Sequence, residues 1–235
     1  MAASRCAFPS IRRSARELAP GLSAPVDARR GRPAYDAAKR ALDIVVALLA
    51  LILLAPLMAA IAILIRLDSA GPVLFRQRRV GLGGRTFMLY KFRSMYVDSR
   101  DRFPDLFTTP CLDDRGSVVY KRKDDPRVTR VGRVLRTTSL DELPNLWNVL
   151  RGEMSLVGPR PELLEFMRFY APRELAKFSV RSGLTGLAQT SGRGALSVPE
   201  QIAADLEYAA RQSMWLDLVI LARTVKCVFM RDGAF

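Results

Sequence analysis

From Ile44 to Ile65 the chain reads IVVALLALILLAPLMAAIAILI, twenty-two residues without a charge. As a helix this run is roughly 33 Å long, against about 30 Å for the hydrocarbon core of a bilayer. A soluble core helix so uniformly apolar would be unusual, so the run is expected to sit in a membrane. Pro56 falls just past its middle, where a proline removes one helical hydrogen bond and crowds the preceding turn. Lys39 and Arg40 precede the run and Arg66 follows it. Cations on both flanks give no preferred direction of crossing. Two topologies are open: a spanning helix with a tolerated proline, and a helix that turns at Pro56 and leaves by the face it entered. The second requires partners for the backbone groups freed at the bend.

The rest of the chain divides around this run. Residues 1–34 are basic, rich in Arg, Ala, Pro and Gly, and without apolar period; they read as a disordered tail. No apolar stretch follows Met1, so a cleaved signal peptide is not expected. Residues 35–66 are expected to form the membrane-inserted segment, kinked at Pro56, and 67–235 a small mixed α/β domain. In that domain Val73–Arg76 and Thr86–Phe92 read as strands around a glycine-rich turn at 81–84. Helices are expected from Ser139, over Pro161–Phe169 and Pro199–Gln212, and over the largely apolar Met214–Met230. This last helix, with Trp215 at one end and Arg223 and Lys226 along it, suits either a membrane surface or a core. Residues 98–126 read as a loop with some helix.

The formal net charge of +14 over 235 residues calls for an anionic partner: phosphorylated substrates, acidic lipid or nucleic acid. There is no histidine, which excludes a Ser-His-Asp triad and the commonest zinc ligand. Cys6, Cys111 and Cys227 are odd in number and far apart, so neither a zinc cluster nor a disulfide framework is indicated.

Ser139-Leu140-Asp141-Glu142 has the spacing of a capping box, though Pro144 would also suit a helix start a little later. Asp141 and Glu142 are therefore either a helix cap or a pair that binds a hard cation and supplies a nucleophile. Arginines favour the second reading. Arg133 and Arg136 lie just before the pair, and Arg160 is held between Pro159 and Pro161. Guanidinium forks match phosphate oxygens, and Lys91 and Arg93 add further cations. Carboxylates among arginines, without histidine, suit phosphoryl-group chemistry with a divalent ion.

Several stretches in one order carry a family resemblance. They are Lys39-Arg40-Ala41-Leu42-Asp43, Gly71-Pro72-Val73-Leu74-Phe75, Lys91-Phe92-Arg93-Ser94-Met95, Asp125-Pro126-Arg127-Val128-Thr129, Ser139-Leu140-Asp141-Glu142-Leu143-Pro144, Met154-Ser155-Leu156-Val157-Gly158-Pro159-Arg160-Pro161, Gly183-Leu184-Thr185-Gly186-Leu187-Ala188-Gln189 and Trp215-Leu216-Asp217-Leu218. Over about residues 35–235 the chain resembles the monotopic phosphoglycosyl transferases, bacterial sugar transferases that begin exopolysaccharide and glycoconjugate assembly.

The resemblance implies transfer of a sugar phosphate from a UDP-sugar to undecaprenyl phosphate, with UMP released, in a ping-pong cycle. Asp141 matches the nucleophile, and Glu142 the second acid, linked to metal handling and proton control. Mg²⁺ is the implied cofactor, with Asp141 and Glu142 at the metal. Lys91, Arg93, Arg136 and Arg160 are the expected phosphate contacts, and Asp217 a supporting residue that orients a cation. The family's Ser-Pro re-entry pair stands here as Ala55-Pro56. The implied fold is a re-entrant helix, an α/β domain and interfacial amphipathic helices, at the cytoplasmic face of the bacterial inner membrane. UDP-sugar, undecaprenyl phosphate and membrane lipid are the expected partners. Nucleic acid is not, and a homodimer is allowed without any residue pattern that specifies it. The rival class is a basic membrane-anchored protein that binds anionic lipid or nucleic acid without catalysis.

Overall fold

The computed structural model describes residues 32–106, 125–192 and 196–230, with side chains described as far as Cys227. The expected tail therefore lies almost wholly outside the described residues, as does most of the expected loop at 98–126. Of that loop, one helical turn at Ser99–Arg102 and a 3-10 turn at Pro104–Leu106 are described.

Helix α1, Pro33–Asp68, contains the whole uncharged run. It begins with proline, whose missing N–H costs nothing in the first turn. Helical conformation continues through Pro56. The helix meets the remaining fold along one stripe: Lys39, Asp43 and Ala47 near its start and Ile61 and Ile65 near its end are buried. Steps of four residues keep such side chains on one face. Most of the opposite apolar surface is bare; Leu53 is 74% exposed and Leu67 78%. From Ile52 to Leu57 only Leu54 is even half-buried.

Polar contacts fasten both ends of α1 to the domain. Asp43 accepts from Ser155 Oγ at 3.0 Å and from the Leu156 amide at 2.9 Å. Arg40 donates to the Val149 and Leu150 carbonyls, both at 2.6 Å. At the far end Asp68 accepts from the Val131 amide at 3.0 Å.

Strands β1, Leu74–Val80, and β2, Thr86–Phe92, form an antiparallel hairpin. Gly83 and Gly84 turn its corner with φ of +62° and +73°, a region open to glycine without steric cost. Next come α2, Arg130–Thr138, and α3, Asn145–Arg151. Strand β3, Ser155–Val157, pairs in parallel with β5, Gly183–Thr185, whereas β4, Glu162–Leu163, adds antiparallel to the free edge of β1. Helices α4, Leu187–Ser191, α5, Val198–Arg211, and α6, Met214–Met230, complete the described residues. The α/β expectation is thus met, among the described residues, as a mixed helix–sheet fold with two small sheets and one long apolar helix. The main core joins Ala47 of α1 to Leu146, Val149, Leu156 and Tyr208.

Two expected elements differ. No helix begins with a Ser139–Glu142 capping box: Ser139 instead ends α2 in the left-handed region, with φ of 58°, and makes no side-chain cap. Nor is Pro161–Phe169 an α-helix. Glu162 and Leu163 are drawn into the sheet by the open edge of β1, which leaves Leu164–Phe169 as a 3-10 segment.

Candidate active site

The catalytic candidates are assembled from the hairpin, the α2–α3 junction and the loop after β3. Thr129 caps α2 through the Gly132 amide at 2.9 Å. A Cβ on Gly132 would stand 2.1 Å from the Ser94 carbonyl oxygen, so glycine is what lets α2 lie this close to the end of β2. The same approach lets Arg136 Nε donate to Ser94 Oγ at 2.9 Å. Two residues after the left-handed Ser139, Asp141 sits in the 3-10 turn Leu140–Glu142. The acid pair is thus presented by a tight turn between two helices.

Lys91 reaches across from β2 and pairs with Glu142 at 2.5 Å. Arg160 approaches the same Glu142 oxygen at 3.7 Å. Its loop is closely set: a Cβ on Gly158 would come within 2.2 Å of the Arg181 carbonyl oxygen. The Arg160 side chain stays 46% exposed, free to take an incoming ligand.

Among the described residues, no hydrogen bond or ion pair engages the Asp141 carboxylate. Burial, and then the charge of Glu142, push its pKa above the ordinary value; Lys91, Arg136 and Arg160 pull it back. Burial likewise lowers the pKa of Arg136, opposed by Asp141 and Asp125. Asp141 is therefore a poorly solvated anion ringed by cations that do not touch it. Desolvation raises the ground-state energy of a nucleophilic carboxylate, and nearby cations favour the approach of an anionic electrophile.

Not every expected residue joins this cluster. Arg93 was expected at the phosphates, but it is 5% exposed and its guanidinium serves the end of α1. It donates to the carbonyls of Ser69 at 2.6 Å, Ala70 at 2.7 Å and Ile65 at 3.3 Å. Helix-end carbonyls lack intrahelical donors, and Arg93 supplies them. Arg133 is exposed on α2. Ala55 and Pro56 lie exposed on α1. Asp217 does meet a cation, Lys39 at 2.8 Å, and also accepts from Tyr35 at 2.9 Å and Tyr208 at 2.6 Å. That buried knot ties α6 to the start of α1.

Sequence reading missed Arg79 and Asn145, which line the cleft beside Lys91, Glu142 and Arg160. Arg79 lies in a run of basic residues on β1, where nothing marks which one turns inward. Asn145 is three residues beyond Glu142, one helical turn away, and that spacing was the available signal.

Among the described residues no three acidic or thiol groups form a ready-made metal cage. Mg²⁺ rarely uses one; it takes one or two carboxylates and fills its shell with water and substrate phosphates. Adjacent Asp141 and Glu142 suit that habit, with Asp141 the open donor of the pair.

The bacterial sugar transferase family model matches residues 34–231. Over 212 residues the chain is 45% identical to the UDP-glucose:undecaprenyl-phosphate glucose-1-phosphate transferase of Caulobacter vibrioides, covering 87% of this chain and 74% of that one. It is 41% identical over 208 residues to the exopolysaccharide production protein ExoY of Sinorhizobium fredii, covering 87% and 91%. With the undecaprenyl-phosphate galactose phosphotransferase of Salmonella typhimurium the identity is 40% over 198 residues, covering 84% and 41%. The chain thus spans most of the shorter relatives and about two fifths of longer ones. The chain belongs to the bacterial sugar transferase family and is a sugar-phosphate transferase.

Proposed function

We propose that this enzyme transfers a sugar 1-phosphate from a UDP-sugar to undecaprenyl phosphate, through a covalent intermediate on Asp141. The observation that carries the proposal is the Asp141 carboxylate itself: desolvated, without a hydrogen-bond partner among the described residues, and facing the fields of Lys91, Arg136 and Arg160. An Asp141 oxygen attacks the β-phosphorus, the bond to the bridging oxygen breaks, and UMP leaves with that electron pair. A phosphate oxygen of the polyprenyl carrier then attacks the same phosphorus, and the Asp141 carboxylate departs. Arg136 and Arg160 hold the phosphates, while Lys91 fixes Glu142 beside the nucleophile. Mg²⁺, held by Asp141 with Glu142 adjacent, would supply charge neutralisation on the diphosphate. The names of the relatives fit this reading, which makes the reaction an opening step of exopolysaccharide or glycoconjugate assembly.

The proposed membrane arrangement is re-entrant, with the domain on the cytoplasmic face of the inner membrane. It is supported by the anchoring of both ends of α1 to one domain, through Arg40 and Asp43 at one end and Asp68 at the other. A spanning helix would carry one of those anchors to the opposite face. The bare stretch Ile52–Leu57, with Pro56 in it, is then the part deepest in lipid. A thiol placed in residues 1–34 should escape labelling from the periplasm; labelling there would refute the re-entrant topology.

The reaction is tested by screening UDP-sugars for UMP release with undecaprenyl phosphate and Mg²⁺. The parent enzyme should release UMP with at least one donor, and Asp141→Asn with none. Near-normal release by Asp141→Asn would refute the nucleophile. The rival reading, polyanion binding without catalysis, predicts strongly salt-dependent binding and no UMP from any donor.

A further inference from the structure

Helix α3 carries two asparagines, both buried, and they are used in opposite ways. Asn148 is fully engaged: its Oδ1 accepts from the Tyr90 amide at 3.2 Å, and its Nδ2 donates to the Met88 carbonyl at 2.7 Å and Glu153 at 2.6 Å. It pins α3 to β2. Asn145 is 2% exposed, yet its Oδ1 is buried without any partner. Among the described residues its Nδ2 has none either. A buried amide left open in this way keeps its desolvation cost unrepaid, and such groups are rare enough to require a reason.

The reason lies in the cleft that Asn145 lines. Its neighbours there are the cations Arg79, Lys91 and Arg160, the acid Glu142, and an apolar side made by Met154 and Leu184. The cations suit phosphate. A neutral amide, which can donate and accept at once, beside an apolar wall, suits a sugar ring with its hydroxyl edge and aliphatic face. In phosphoryl transfer the attacking and leaving oxygens lie roughly in line, so the nucleotide departs away from Asp141. The sugar, carried on the reacting phosphorus, stays lateral to the nucleophile. Asn145 lines the same cleft as Glu142, the chain neighbour of Asp141.

We infer that Asn145 is a specificity-determining residue whose amide hydrogen-bonds a hydroxyl or acylamino group of the transferred sugar. This rests on the Asp141 reading of the site. A site built to hydrogen-bond a substrate hydroxyl discriminates against donors that lack it, because its own polar group is then left unpaired.

The test compares parent, Asn145→Ala and Asn145→Ser on a panel of UDP-sugars, including epimers and deoxy analogues of the preferred donor. For the preferred donor, kcat/KM should fall by about 10- to 100-fold in Asn145→Ala. It should fall much less for the analogue lacking the recognised group, so that the preference collapses. UMP inhibition should stay within about 2-fold of the parent, since the amide does not touch the nucleotide. Asn145→Ser is the smaller change should the alanine variant fail to fold, and the parent's own deoxy-donor ratio needs no variant at all. An unchanged preference ratio would overturn the inference. So would a matching loss of UMP affinity, which would move the contact to the nucleotide, or recovery at high Mg²⁺, which would make Asn145 a metal ligand. Asp141→Asn, assayed alongside, separates the two levels: if it turns over normally, the nucleophile reading has failed, whereas a dead Asp141→Asn with an unchanged sugar preference in Asn145→Ala condemns the Asn145 contact alone.

Discussion

Asp141 and Asp217 are both sheltered carboxylates near cations, and they are held in opposite ways. Asp217 is 1% exposed and its oxygens are matched by Lys39, Tyr35 and Tyr208. Burial, and after it the Asp217 charge, raises the pKa of Tyr208, which keeps the phenol a donor. Asp141 feels three cations and touches none of them. A carboxylate satisfied by direct contacts is a fastener, because its lone pairs are spent. One stabilised only by field keeps its lone pairs for a reaction.

The comparison breaks most visibly under the same substitution at both positions. Asp141→Asn should lower turnover by about 10³-fold or more, as loss of a nucleophile does, while the fold survives. It should also make the protein more stable at neutral pH. The pKa of Asp141 in the folded state lies above its unfolded value, so the favourable contribution belongs to the protonated form and is lost as pH rises through the raised pKa. An uncharged amide removes that cost, and denaturant unfolding at pH 7 and pH 4 would show the gain at the higher pH. Asp217→Asn should do the reverse, stranding Lys39 in the interior and costing about 3 kcal/mol, read as a lower unfolding midpoint.

Smaller effects sharpen the contrast. Arg160→Lys should reduce kcat/KM by about 10²-fold, since an ammonium replaces a proline-held fork by a point charge; parity with the parent would remove Arg160 from the phosphate contacts. The mildest effect concerns pH. Turnover needs ionised Asp141, so the acid limb of the kcat/KM profile, which reports the free enzyme, should lie above the ordinary aspartate value of about 3.9. Replacing Lys91 with Met removes one of the cations that pull this pKa down and should move the limb higher still.

Much of this was readable in the residues because it depends on local pattern. The apolar run dictated α1, and the glycine-rich turn marked the hairpin, although β1 runs on to Val80, past the expected end at Arg76. Asp141, Glu142, Lys91, Arg136 and Arg160 could be gathered because carboxylates and cations announce phosphate chemistry. What escaped depends on distant partners. Arg93 looks identical to a phosphate ligand in sequence; only the approach of the end of α1, some twenty-five residues earlier in the chain, consumes its guanidinium. Ser139 has the right spacing for a cap, but its left-handed backbone turns the acid pair into a tight turn. Glu162 and Leu163 carried a helical pattern until the edge of β1 claimed them. Asn145 was silent because an asparagine's meaning lies in whether its amide is satisfied, and sequence does not record that.

Intact-protein mass measurement after incubation with a UDP-sugar and Mg²⁺, without any lipid acceptor, addresses the nucleophile directly. The parent should gain the mass of one sugar phosphate less water, release a matching amount of UMP, and lose the adduct when undecaprenyl phosphate is added; Asp141→Asn should gain nothing. Full product formation by the parent with no adduct at any time, and UMP released only when acceptor is present, would contradict a covalent intermediate on Asp141.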